Sequence, residues 1–95
     1  MYISSVEEAL EAVKRNGLFL QFVPEQFRTE RVCLEAVKRS GLALDYVKNQ
    51  TQKLCLIAVR KNGRALRYVE NQTPEIIQAA LHQNPDAFKD IKLCM

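Results

Sequence analysis

The 95-residue chain holds only three cysteines, one histidine and three glycines. No apolar run approaches the length of about 18 residues that would cross a membrane. The cysteines are an odd set without close pairing, which argues against a disulfide framework and points to a reducing compartment, by default the cytoplasm. Cys94 lies far from Cys33 and Cys55, and His82 is the sole imidazole, so no zinc-type spacing exists. The chain lacks a phosphate-binding loop, an activated nucleophile and a persuasive acidic pair. No enzyme, metal site or cofactor is expected. The N-terminus opens on an acidic amphipathic stretch rather than the basic-then-apolar layout of a secretory leader. A secreted effector exported by a non-classical route would read the same way.

What the chain does have is one phrase said four times. Ala12-Val-Lys-Arg-Asn-Gly-Leu-Phe-Leu-Gln-Phe-Val23 returns as Ala36-Val-Lys-Arg-Ser-Gly-Leu-Ala-Leu-Asp-Tyr-Val47. It returns again as Ala58-Val-Arg-Lys-Asn-Gly-Arg-Ala-Leu-Arg-Tyr-Val69 and, more loosely, as Ala80-Leu-His-Gln-Asn-Pro-Asp-Ala-Phe-Lys-Asp-Ile91. The leading alanines are 24, 22 and 22 residues apart. A unit this short cannot bury enough apolar surface alone, so such a period marks units that stack on one another. The expectation is one domain over 1–95 with repeats at 5–28, 29–50, 51–72 and 73–95.

Each repeat opens on a hydroxyl residue seven positions before its alanine, Ser5, Thr29, Thr51 or Thr73, suited to cap a helix. Glu8 sits at capping-box spacing from Ser5, and Pro74 at a first helical position. Val32, Cys33, Ala36 and Val37, then Leu54, Cys55, Ala58 and Val59, recur at helical spacing. Gly17, Gly41 and Gly63 stand where a left-handed residue would end the helix. In the fourth copy Pro85 takes that place, with Asn84 as cap of the next element.

The segment after the glycine is ambiguous between strand and helix in one copy. Across copies only the set at i, i+1, i+4 (Ala43, Leu44 and Val47) stays apolar, which selects a short helix of about seven residues and argues against a leucine-rich repeat. Phe27, in the longer first link, is expected to tuck against the core. The fold class is therefore all-α, a small α-solenoid of four helix-turn-helix repeats. The pattern Ala-Val-x-x-Asn-Gly-x-Ala-Leu-x-Tyr-Val resembles a tandem repeat of bacterial and protist proteins catalogued as a domain of unknown function. The resemblance is strongest at 29–69 and implies a helical repeat, with no chemistry to carry over.

Charge supplies the candidate site. Residues 28–69 hold ten Lys/Arg against three acids, a net +7, while 1–27 and 70–95 each hold two against four. Lys14-Arg15, Lys38-Arg39 and Arg60-Lys61 recur at one place in the repeat, and Arg64 and Arg67 follow the third turn. Helix-dipole complementarity and Glu11–Arg15 and Glu35–Arg39 pairs account for part of this column. Ile57 replaces the glutamate in the third copy and leaves Lys61 without that partner. Stacked, the column forms a basic ridge that would dock an acidic protein partner. Nucleic acid is the alternative partner, and self-assembly through Leu93-Cys94-Met95 a third reading. Cys33 and Cys55 read as small core hydrophobes, His82 as a solvated helix end, and Phe22, Tyr46 and Tyr68 as half-buried packing or an aromatic ladder.

Overall fold

The computed structural model describes residues 2–92, and every regular element among them is helical. Four long helices, α1 (Val6–Arg15), α2 (Glu30–Arg39), α3 (Gln52–Lys61) and α4 (Pro74–Gln83), alternate with short 3₁₀ helices at Gly17–Phe22, Gly41–Tyr46, Gly63–Tyr68 and Pro85–Asp90. A single extra 3₁₀ turn, Glu25–Phe27, fills the longer first link, and Phe27 is half-buried against the core. Each long helix packs on the next, and each short helix packs on both the next short helix and the next long one. The molecule measures 42 × 23 × 18 Å. That long dimension suits four helices side by side at about 8–10 Å spacing.

The four expected caps form. Ser5 Oγ accepts from Glu8 N at 3.1 Å, and the hydroxyls of Thr29, Thr51 and Thr73 accept from Val32, Leu54 and Ile76 N at 3.2–3.3 Å. Glu8 reaches back to Ser4 N at 3.3 Å, one residue earlier than a standard capping box, and also bonds the Ser4 hydroxyl. These bonds hold its carboxyl below the ordinary range.

The turn between the two helices differs from expectation. No described residue has positive φ, so the glycines are not left-handed helix ends. Asn16, Ser40, Asn62 and Asn84 make the turn instead, with extended backbones at φ between −158 and −146. Their N–H groups donate to the carbonyls of Ala12, Ala36, Ala58 and Ala80. The asparagine side chains then cap the short helices by accepting from Leu18, Arg64 and Asp86 N at 2.9–3.0 Å.

The glycines answer to close approach rather than to torsion. A Cβ on Gly17, Gly41 or Gly63 would fall within 3.0 Å of the backbone oxygen of Ala36, Ala58 or Ala80, on the next long helix. The fourth copy carries Pro85 in this slot, where no further described helix follows.

The second helix is tighter than the α-helix a four-residue spacing suggests. Phe19 N donates to Asn16 O and Val23 N to Leu20 O, both three residues back. Side chains three apart eclipse in a 3₁₀ helix, so Gly41, Leu44 and Val47 share one buried face, as do Gly63, Leu66 and Val69. In the last copy that face is Pro85, Phe88 and Ile91, and Phe88 is 61% exposed.

The first copy is adapted in the opposite sense. Val32, Leu54 and Ile76 are buried where α1 has exposed Glu8, and Ala43, Ala65 and Ala87 are buried where the first copy has half-buried Phe19.

A second device crosses every repeat boundary. The residue before each interior cap, Arg28, Gln50 or Gln72, donates to the carbonyl that ends the next short helix: Tyr46 at 3.2 Å, Tyr68 at 2.7 Å and Asp90 at 3.0 Å. Gln50 and Gln72 also accept from Glu70 N and Lys92 N at 3.0 and 2.8 Å. Arg28 further donates to Val23 O and Gln21 O at 2.7 and 3.3 Å.

The glycine and proline of one slot should therefore respond oppositely to alanine. Gly41→Ala forces a methyl against main chain and is expected to destabilise by about 1–3 kcal/mol. Pro85→Ala removes only the fixed φ at the first position of its short helix and should cost no more than about 1 kcal/mol. Thermal or urea denaturation of the two variants measures both. Equal losses would contradict the packing role of the glycine.

Candidate docking surface

At 100° per residue the buried stripe of each long helix is centred opposite its second and ninth positions. The ninth position is Lys14, Lys38 or Arg60 in α1, α2 and α3, and the tenth is Arg15, Arg39 or Lys61; all six are exposed. They occupy the last turn, where the carbonyl end of the helix dipole favours cations. Because α1, α2 and α3 pack in succession, the six lie at one level of adjacent helices. In α4 the slots hold His82, exposed at the helix end, and Gln83, whose side-chain oxygen accepts from Gly63 N.

Arg64 and Arg67 do not join this group. They lie on the third short helix and are both held by Asp90, with Arg64 Nε to Oδ2 at 2.6 Å and Arg67 Nε to Oδ1 at 3.3 Å. The Asp90 hydrogen bond raises the pKa of Arg64 further. The Asp90 side chain is itself only 6% exposed, so both guanidinium groups serve a junction between the third and fourth copies.

Other cations of the central stretch are also engaged. Arg28 is the carbonyl clamp described above. Lys48 pairs with Glu25 at 2.8 Å, and that contact lowers the Glu25 pKa. Arg39 meets Glu35 at 3.4 Å, whereas Glu11–Arg15 is not among the ion pairs of the described residues. Exposed pairs of this kind contribute little to stability and leave the cation available to a partner.

Two cations on the same face were not singled out from the sequence. Arg31 and Lys53, seven residues before Lys38 and Arg60, are exposed at the second helical position. Seven residues are nearly two turns, so each pair shares a stripe. That spacing is the signal which could have found them.

The remaining candidates settle into the framework. Cys33 and Cys55 are free and buried, and burial pushes both thiol pKa values up. Their sulfurs lie 3.8 Å from Arg28 O and 3.7 Å from Gln50 Oε1. Cys94, with Leu93 and Met95, lies outside the described residues. No group of three or more His, Cys, Asp or Glu among the described residues could hold a metal ion. Tyr46 and Tyr68 are half-buried, and Phe22 is exposed with its ring centroid 6.0 Å from that of Phe19. A cleft beside the starts of α2 and α3 is lined by Glu25, Arg28, Cys33, Lys48 and Thr51. Of its charged groups, Glu25 and Lys48 pair with each other and Arg28 bonds main chain, while Glu30 stands exposed at the rim. No described helix is long and apolar enough to cross a membrane.

Comparison with known proteins adds one match. Residues 7–52 fit the family model described as a domain of unknown function (DUF4116). The matched stretch runs from the first turn of α1 to the first residue of α3, close to two full copies of the repeat. No curated protein and no solved structure matches the chain.

The buried, high-pKa thiols carry a direct test. At neutral pH Cys33 and Cys55 should react with a thiol-specific reagent far more slowly in the native protein than after denaturation, because the thiolate is the reactive form, burial raises both pKa values and little of either residue is exposed. Rapid labelling of either site in the native protein, mapped by peptide mass, would contradict their placement.

Proposed function

We propose that this chain is a non-catalytic binding module, a small α-solenoid that docks an acidic protein surface on the exposed cations of α1–α3. The observation that carries the reading is the position of Lys14, Arg15, Lys38, Arg39, Arg60 and Lys61. All six are exposed at the same turn of three adjacent helices; the cations that bond across repeat boundaries lie elsewhere, and among the described residues only Arg39 of the six makes an ion pair, with Glu35 on its own helix. Repeat stacks commonly use such extended surfaces for binding, and a patch of one sign steers an oppositely charged partner and sets the salt dependence of its association. Two free, buried thiols suit a reducing compartment, and the cytoplasm is the location proposed. Arg64 and Arg67 are left out of the surface because Asp90 already occupies them.

Two features of the outer copies weigh against end-to-end assembly in the mode by which the repeats stack. A further copy added at the last repeat in the interior mode would need a glycine at Pro85. One added before α1 would meet Glu8 and Phe19 where interior copies have apolar Val, Leu or Ile and small alanine.

The test is charge reversal at Lys38, Arg39, Arg60 and Lys61, with binding to polyglutamate and to a single-stranded oligonucleotide titrated across salt concentrations. The wild-type protein is expected to bind polyglutamate more weakly as salt rises, and the reversed variant to lose affinity by about tenfold or more, equivalent to about 1.4 kcal/mol. Unchanged affinity and salt dependence in the variant would remove this surface. Tighter binding of the oligonucleotide, with a salt slope that drops by about one for each phosphate no longer neutralised, would assign the face to nucleic acid instead.

A further inference from the structure

The outer surface of α2 and α3 carries more than charge. Arg31 and Lys38 on α2, and Lys53 and Arg60 on α3, are exposed. Within each pair the two stand about 10.5 Å apart along the axis. The helices pack side by side, at an interaxial distance of about 8–10 Å. The four cations thus mark the corners of a patch roughly two helix turns long and two helices wide.

Between the corners lie half-buried apolar side chains. Leu34 falls on the α3-facing edge of the α2 outer stripe and Ile57 on the α2-facing edge of α3, and both rest against the core with part of their surface uncovered. The fourth-position partner of Lys61 is this isoleucine, where the second copy has Glu35 pairing with Arg39. Acid is scarce on the patch. α3 contains none, Glu35 is paired with Arg39, and Glu30, exposed in the first turn of α2 beside Arg31, is the acid that borders it. Beyond the patch on either side, the slot of Arg31 and Lys53 is occupied by Glu7 on α1 and Glu75 on α4.

We infer that the α2–α3 seam docks an amphipathic acidic helix, whose bulky apolar residues rest on Leu34 and Ile57 while its flanking carboxylates meet Arg31 and Lys38 on one side and Lys53 and Arg60 on the other. This rests on the proposed acidic partner and names its form. A helix laid in the seam has a diameter of about 10–12 Å and repeats its side chains about 10.5 Å apart every seven residues, which matches the cation rectangle in both directions. An apolar stripe set in a groove with charges along its edges is the usual anatomy of helix-in-groove recognition. A nucleic acid strand has no use for the aliphatic floor, and a long duplex running across the stack would meet Glu7 and Glu75. Those two acids also confine the partner to the central seam.

The experiment uses three probes against the full chain: a synthetic helical peptide with a leucine stripe flanked by glutamates, polyglutamate of equal charge, and a single-stranded oligonucleotide. The variants are Ile57→Ser, Leu34→Ser and the pair Arg31→Gln with Lys53→Gln, each checked for native helicity by circular dichroism. The helical peptide is expected to bind wild type at least about tenfold more tightly than polyglutamate, and to lose about tenfold with Ile57→Ser and with the double glutamine variant. Leu34→Ser reads the other side of the seam and keeps the test valid should Ile57→Ser unfold. If the peptide binds no better than polyglutamate, or ignores both serine variants while still responding to the glutamines, the apolar floor is refuted and the charged surface stands. If neither peptide nor polyglutamate responds to the glutamine pair or to charge reversal at Lys38, Arg39, Arg60 and Lys61, both readings fall together. An oligonucleotide that binds more tightly than the peptide also overturns the assignment.

Discussion

The spacing of the whole stack is set where the glycine of one repeat meets the alanine carbonyl of the next long helix. At Gly17, Gly41 and Gly63 the backbones lie too close for even a methyl group. Small residues on both sides of that contact, with Ala36, Ala58 and Ala80 fully buried opposite, let main chain pack on main chain. The apolar faces then close around it, with Leu20, Leu44 and Leu66 and their valine partners completely covered or nearly so. Interiors packed to crystal-like density tolerate little added volume, so the contact acts as a fixed pitch that every other inter-repeat bond must match.

The polar clamps obey that pitch. Arg28, Gln50 and Gln72 each span to a carbonyl eighteen residues on. They satisfy main-chain groups at the ends of the short helices, which would otherwise be left half-buried without partners. The third boundary adds the Asp90 junction with Arg64 and Arg67. Framework and candidate surface therefore draw on different cations. The ones on the short helices and links hold repeats together, and those on the outer stripe of the long helices, apart from the exposed Arg39–Glu35 pair, make no ion pair among the described residues.

Much of this was readable in the chain because it repeats. Four hydroxyl caps, the all-helical class, the cysteines as buried hydrophobes and Phe27 against the core all follow from local rules applied to aligned copies. The misreadings have physical causes. Glycine after asparagine suggested a left-handed turn, but the asparagine side chain makes the turn and caps the next helix, freeing the glycine for a contact 17 to 19 residues away. The 3₁₀ geometry hid in a glycine-leucine-valine spacing of three, because Ala43 beside Leu44 offered a competing spacing of four. The clamping role of Gln50 and Gln72 leaves no local signal, since their partners are distant in sequence. Arg31 and Lys53 escaped notice because the same column holds Glu7 and Glu75 in the outer copies. Asp90 stands where the earlier copies carry Phe22, Tyr46 and Tyr68, and nothing local in the chain signals its claim on Arg64 and Arg67.

Pro85 at one end, and Glu8 with Phe19 at the other, have a consequence for how such a protein can change over generations. Both outer copies carry groups that an adjoining unit would have to displace, while the second and third present the same pair of mating faces front and back. Gene duplication can thus lengthen the array by inserting a copy in the middle, whereas appending one at either margin would set the Pro85 ring in the slot of tight backbone contact, or Glu8 and Phe19 in side-chain slots that the other copies fill with apolar Val, Leu or Ile and small alanine.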